Sequence, residues 1–149
     1  MKERLALLAV CVATASLTLG ASRGSRAEHR LEIAGAHGAV WACRIAAGQP
    51  FDVTFVHSQE RTRWTQHYVA GDTGAIQQTG STFGSYGAGM PTGPVRRTAD
   101  GFESHVDRRL ASIPMLSSKA AELTLIVEGR RIALDRWFPD FEAFEIRIR

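Results

Sequence analysis

Apolar and polar residues alternate with period two along most of this chain, the pattern of half-buried β-strands rather than of helices. Trp41, Cys43 and Ile45 share one parity, and Phe51, Val53 and Phe55 share another with Asp52 and Thr54 between them. Trp64, Gln66 and Tyr68 alternate with Thr65, His67 and Val69, and Phe102 and Val106 oppose Glu103, His105 and Asp107. Leu123, Leu125 and Val127 form a run that Ile132 and Leu134 continue beyond Gly129-Arg130. The clearest alternation closes the chain: Phe144, Ile146 and Ile148 against Glu145, Arg147 and Arg149. Turn-forming residues separate the runs at Ala47–Pro50, Gly71–Gly74, Ala99–Gly101 and Glu128-Gly129. Only Leu110 to Glu122 leaves room for a helix, and Pro114 limits it to short pieces. The pattern predicts an all-β fold, a single small β-sandwich or barrel of roughly seven to nine short antiparallel strands.

The first residues break the pattern. Lys2 and Arg4 precede an uncharged, mostly apolar stretch from Leu5 to Leu19, and Ser25-Arg26-Ala27 places small residues at the −3 and −1 positions of a cleavage site. This is the layout of a secretory signal peptide over residues 1–27, with a poorer second site at Leu19-Gly20-Ala21. The apolar stretch is shorter than the roughly 20 residues that span a bilayer as a helix. The expected product is a periplasmic domain of residues 28–149 with no membrane span. The alternative is a domain tethered by an uncleaved N-terminal anchor. A lipoprotein is disfavoured, because Cys11 lies inside the apolar stretch behind the large Val10.

Removing the leader changes the charge. It carries Lys2, Arg4, Arg23 and Arg26 against Glu3, so the 18 basic and 15 acidic residues of the whole chain become 14 of each. A globally basic surface for nucleic acid is therefore not expected. Arg96-Arg97, Arg108-Arg109 and Arg130-Arg131 read as separate solvated pairs. Cys43 is the one cysteine left after the leader, so no internal disulfide can form, and it reads as a small buried hydrophobe. The chain has no Asn and hence no N-glycosylation sequon.

Two segments interrupt plain strand patterning. Phe55 to Thr62 ends an apolar strand in His57, Ser58, Gln59, Glu60, Arg61 and Thr62. Strand parity puts His57 with Phe51, Val53 and Phe55, an imidazole at the rim of the core. It reads either as a sheet-end residue bonded to backbone or as a ligand or proton-transfer group. The second segment, Gly84 to Pro91, holds Tyr86, Gly87 and Gly89. Its glycines permit positive φ and close approach. Pro91 and Pro94 follow, so no helix N-terminus completes a phosphate cradle. A polar cluster needs partners, and a bare backbone can supply them. Gly87 or Gly89 is therefore expected against His57, Ser58 or Glu60.

Conventional catalysis finds little support. His57 and Ser58 are neighbours and point to opposite faces, and no Gly-x-Ser-x-Gly elbow occurs. His57, His67, His105, Glu60 and Asp107 are donors without the short spacings of common zinc sites. No catalytic residue, metal or cofactor is assigned. His105-x-Asp107 reads as an exposed polar strand face, and Trp137-Phe138-Pro139-Asp140-Phe141 as a hydrophobic cap over the core.

The run Phe51 to Thr62, FDVTFVHSQERT, resembles the strand-then-His-Ser-x-Glu-Lys/Arg-Thr signature of the bacterial domain-of-unknown-function family numbered 1850. Tyr86-Gly87-Ala88-Gly89-Met90-Pro91 resembles that family's Gly-Ala-Gly-Leu-Pro motif, with Met for Leu. Asp100-Gly101-Phe102 and Leu123-Thr124-Leu125 fit its layout, so the resemblance covers residues 31–149. Arg63 stands where the family tends to have Pro, and the acidic residue it tends to have near Thr65 or Gln66 is missing. The family has no settled activity. Its genes often lie beside TRAP transporters of the TAXI type, which pair a periplasmic solute receptor with a membrane permease. The resemblance implies a periplasmic accessory to solute uptake. The expected function is a non-enzymatic module that binds a solute or a transporter component through His57, Ser58, Glu60, Arg61, Thr62, Tyr86, Gly87 and Gly89. Alternatives are a small enzyme or metal-binding protein using His57 and Glu60, and a structural envelope domain.

Overall fold

The computed structural model describes residues 26–87 and 93–149. Apart from Arg26 and Ala27, the expected leader lies outside these residues, and so does Gly89. The strands in chain order are β1 (Glu28–Gly35), β2 (Gly38–Ala46), β3 (Pro50–Val56), β4 (Arg63–Ala70), β5 (Ile76–Phe83), β6 (Val95–Thr98), β7 (Gly101–Leu110), β8 (Ser112–Leu116), β9 (Thr124–Val127), β10 (Arg130–Ala133) and β11 (Ala143–Ile148). The segment considered for a helix forms β8 and a single 3-10 turn, Lys119–Ala121. No helix among the described residues is long and apolar enough to cross a membrane.

The strands form two separate antiparallel sheets, a sandwich-like arrangement and not a closed barrel. One has four strands in the order β2-β1-β11-β8, the other seven in the order β10-β9-β3-β4-β5-β7-β6. Period-two alternation dictates what lies between them. Leu31, Ile33, Ile45, Ile113, Phe144, Ile146 and Ile148 from the small sheet meet Phe51, Val53, Tyr68, Ala70, Ile76, Leu125 and Val127 from the large one, all under a tenth exposed. Phe138, from the loop before β11, caps this core and stacks on Phe144 with ring centres 4.5 Å apart, while Phe141 is exposed. Cys43 packs half-buried against the same core, and burial raises its thiol pKa. On the outer face of the small sheet, the buried Glu32 carboxylate receives Arg147 Nε at 3.1 Å and Arg30 Nε at 3.0 Å, tying β1 to β11.

Four strands escaped the alternation: β1, β5, β6 and β8. In β5 the reason is a bulge. Tyr68 pairs with Gln78 but His67 pairs with Gly80, so Thr79 is an extra residue. It reverses the parity, and Ile76 and Phe83 reach the same face although six residues lie between them, an even number that would put them on opposite faces of a regular strand. At the bulge the β7 backbone comes so near that a Cβ on Gly80 would stand 2.4 Å from the Ser104 carbonyl oxygen. In β8, Pro114 is tolerated because the strand is an edge of its sheet. In β6, Arg96 and Arg97 leave almost no apolar signal.

Two predictions follow from this packing. Gly80→Ala forces β5 away from β7 and is expected to cost about 1–3 kcal/mol, read as a lower urea midpoint with unchanged slope. Tyr68 is buried, stacks on Phe51 at 5.3 Å and donates its hydroxyl to Gln66 Oε1 at 2.8 Å. Burial pushes its pKa up to about 12 from 10.0. The folded state thus favours the neutral phenol. That contribution, about 2–3 kcal/mol, is complete below pH 10 and is lost as pH rises through 12. Urea titrations should show wild type losing more stability than Tyr68→Phe between pH 9 and 12. Parallel losses would contradict the assignment.

Candidate functional site

The four-stranded sheet covers only part of the inner face of the seven-stranded sheet. Beyond it, cross-strand pairing lines up Phe55, Trp64, Phe83 and Phe102 across β3, β4, β5 and β7. Trp64 and Phe83 are buried outside the main core cluster, with rings 5.0 Å apart, and Phe102 stacks on Phe83 at 5.7 Å. The two loops singled out above finish this row. His57 stacks on Trp64 at 4.8 Å, and Tyr86, though more than half exposed, meets Phe102 edge-on at 5.4 Å. Offset-stacked and edge-to-face pairs each add about 0.5–1.5 kcal/mol beyond their buried area.

The His57–Thr62 turn joins β3 to β4. His57 N–H donates to the Thr62 carbonyl and Arg61 N–H to the His57 carbonyl, both at 2.9 Å, with Arg61 in the left-handed region at φ 54°. The Glu60 backbone N–H points at His57 Nδ1 at 3.4 Å. In the neutral ring this leaves the proton on Nε2. His57 thus closes the sheet end through backbone, as one of the two readings expected, and its Nε2 has no hydrogen-bond partner among the described residues.

The expected meeting of the two segments is present. Ser85 Oγ donates to Glu60 Oε2 at 3.2 Å, and the Thr62 and Ser85 hydroxyls are 3.2 Å apart. A Cβ on Gly87 would fall 1.8 Å from Glu60 Oε1, so the carboxylate packs directly on bare backbone. Glu60, Thr62, Ser85 and Gly87 make one junction. Ser58 and Arg61 lie elsewhere: with His57 they line a groove of about 330 Å³ whose far wall is Ser118, Ala121 and Glu122. That groove therefore opens toward the 3-10 turn, not toward the 84–87 segment. Arg63, the departure from the family pattern, donates through Nη2 to Glu122 Oε2 at 2.7 Å and ties the same two regions together.

Sequence reasoning missed several polar features. Trp64 Nε1 is buried and has no hydrogen-bond partner among the described residues. On the opposite face of the large sheet, Asp52 Oδ1 lies 2.8 Å from His67 Nδ1, and His67 Nε2 lies 3.3 Å from Thr82 Oγ1. Carboxylate, imidazole and hydroxyl stand in the order of a nucleophile relay. However, β5 is paired on both sides, with β4 and with β7, and its amides are taken up by those ladders rather than held for an oxyanion. The register signal for this trio was available, since Asp52 and His67 are cross-strand partners. The bulge in β5 concealed Thr82. His105 and Asp107 share this outer face, where His105 Nε2 approaches Glu103 at 3.4 Å and Asp107 accepts from Gln77.

The model of a family described as a domain of unknown function, DUF1850, matches residues 51–134, a span that holds both the turn and the glycine-rich segment. No curated protein and no solved structure matches the chain.

The junction makes a coupling prediction. Gly87→Ala must expel the Glu60 carboxylate from Ser85, whereas in a Glu60→Ala background the same change meets little. A double-mutant cycle by urea denaturation is expected to give a coupling of about 0.5–3 kcal/mol. Additive losses would mean that the two segments do not support one another.

Proposed function

The chain belongs to the DUF1850 family, and we propose that it is an exported binding module serving a TRAP-type solute uptake system of the TAXI kind, without chemistry of its own. The carrying observation is how the turn uses its polar groups. Glu60, the natural acid–base partner for His57, spends its carboxylate on Ser85 and the Gly87 backbone and gives His57 only its backbone N–H. What remains on the open groove is donor-rich: His57 Nε2, the Ser58 hydroxyl and the Arg61 guanidinium. Fixed donors on an anchored turn suit recognition of an acceptor surface. A carboxylate that orients the imidazole, as in a nucleophile–base–orienter arrangement, is not what Glu60 provides to His57. The apolar leader supports the periplasmic setting, and the gene neighbourhood implied by the family resemblance supports the transporter association.

The test uses the tagged full-length gene in a bacterium that carries it, with crosslinking in the cell. The expected result is a periplasmic product lacking residues 1–27 or 1–21, recovered together with a TAXI receptor or permease. Arg61→Ala should reduce that recovery by about tenfold, the scale of one charge-assisted hydrogen bond. A full-length mass in the membrane fraction would overturn the cleaved leader. Recovery without any transporter component would overturn the association.

A further inference from the structure

We infer that the cleft between β8 and the inner face of the seven-stranded sheet is a binding site for a small organic carboxylate with an apolar body. The inference extends the binding-module reading by naming a ligand class, and it rests on that reading only for its physiological setting. The cleft exists because β7 passes into β8 through Ala111 alone, so the chain leaves the large sheet and becomes the edge of the small one within a single residue. It measures about 360 Å³, within the range of small-molecule pockets.

Its polar end comes from the large sheet. Gln78 and Arg108 are cross-strand partners on β5 and β7, and Gln66 and Tyr68 stand beside them on β4. Tyr68 donates its hydroxyl to Gln66 Oε1 at 2.8 Å, so the Gln66 amide nitrogen is the donor end left without a partner among the described residues. No carboxylate among the described residues pairs with the exposed Arg108 guanidinium. Arg108 is nonetheless near enough to Tyr68 to oppose the rise in its pKa. One guanidinium flanked by two amides matches the two oxygens and single charge of a carboxylate.

The rest of the lining, from β8 and from Phe55 on β3, is apolar. Phe55 and Met115 are only partly buried and Leu116 is more than half exposed, so this end of the cleft leaves hydrophobic surface in water. Met115 adds an unbranched, adaptable side chain. A carboxylate on Arg108 with its hydrocarbon against Phe55 and Met115 neutralises the lone charge and covers that surface together.

Isothermal titration of the full chain with hexanoate tests this, with hexanamide as the uncharged control. Expected are one hexanoate per chain, much weaker binding of hexanamide, and a loss of about 10- to 100-fold in affinity for Arg108→Ala. Met115→Trp, which fills the apolar end, should also abolish binding, while Arg131→Ala on β10 should not change it. Circular dichroism of each variant checks folding. Absence of hexanoate binding at millimolar concentration, or equal binding by Arg108→Ala, overturns the site. Either result would leave co-recovery with a transporter component unaffected, so the two readings fail separately.

Discussion

The structure depends on a mismatch of width. Four strands face seven, and the apolar inner surface of the larger sheet extends beyond what the smaller can cover. Burial of apolar area is the main force holding such a sandwich together, at about 25 cal/mol per Å², so uncovered rows must find other cover or another use. At the Trp64–Phe83–Phe102 row the cover is local, from His57 on one side and Tyr86 on the other. At the Gln66–Gln78–Arg108 rows the residues become polar and the surface stays open beside β8. The turn, the glycine-rich segment and the cleft are three answers to one geometric shortfall.

The polar groups follow a division of labour. Those within the turn mostly serve the fold: Glu60 receives Ser85, Thr62 meets Ser85, and His57 Nδ1 receives backbone. Buried polar groups carry a large penalty when unpaired, and this junction removes it for the carboxylate. Among the described residues, His57 Nε2 and Arg61 stay without partners at the groove beside the sheet end, and Arg108 at the cleft further down the large sheet. Trp64 Nε1 is the exception, a buried donor without an acceptor among the described residues.

Much of the fold was legible where strands are regular. Alternation in β3 and β11 named their core residues because neither strand is irregular, although Thr54 is buried on the other face of β3. Eleven strands form among the described residues where roughly seven to nine were expected, because the bulge at Thr79, the arginines of β6 and Pro114 in β8 erase the signal. At the site, the Glu60–Gly87 contact was legible: a polar cluster and a bare backbone answer each other's needs. The groove wall at Ser118–Glu122 was not, since nothing local in that stretch shows what it faces. Arg108 was hidden by its neighbour. Arg108-Arg109 reads as a solvated pair until the register shows that Arg108 faces inward opposite Gln78 while Arg109 faces out.

The placement of β11 has a consequence for how the molecule comes into being. The last strand inserts between β1 and β8, and backbone bonds join Arg30 and Arg149 in both directions. Without that strand the small sheet is two disconnected fragments, the β1–β2 pair and β8, and the layer facing Phe51, Val53 and Leu125 lacks Phe144, Ile146 and Ile148. Closing so long a span of chain is entropically slow. The small sheet, and with it the layer that faces the larger one, is therefore completed only when β11 joins β1 to β8.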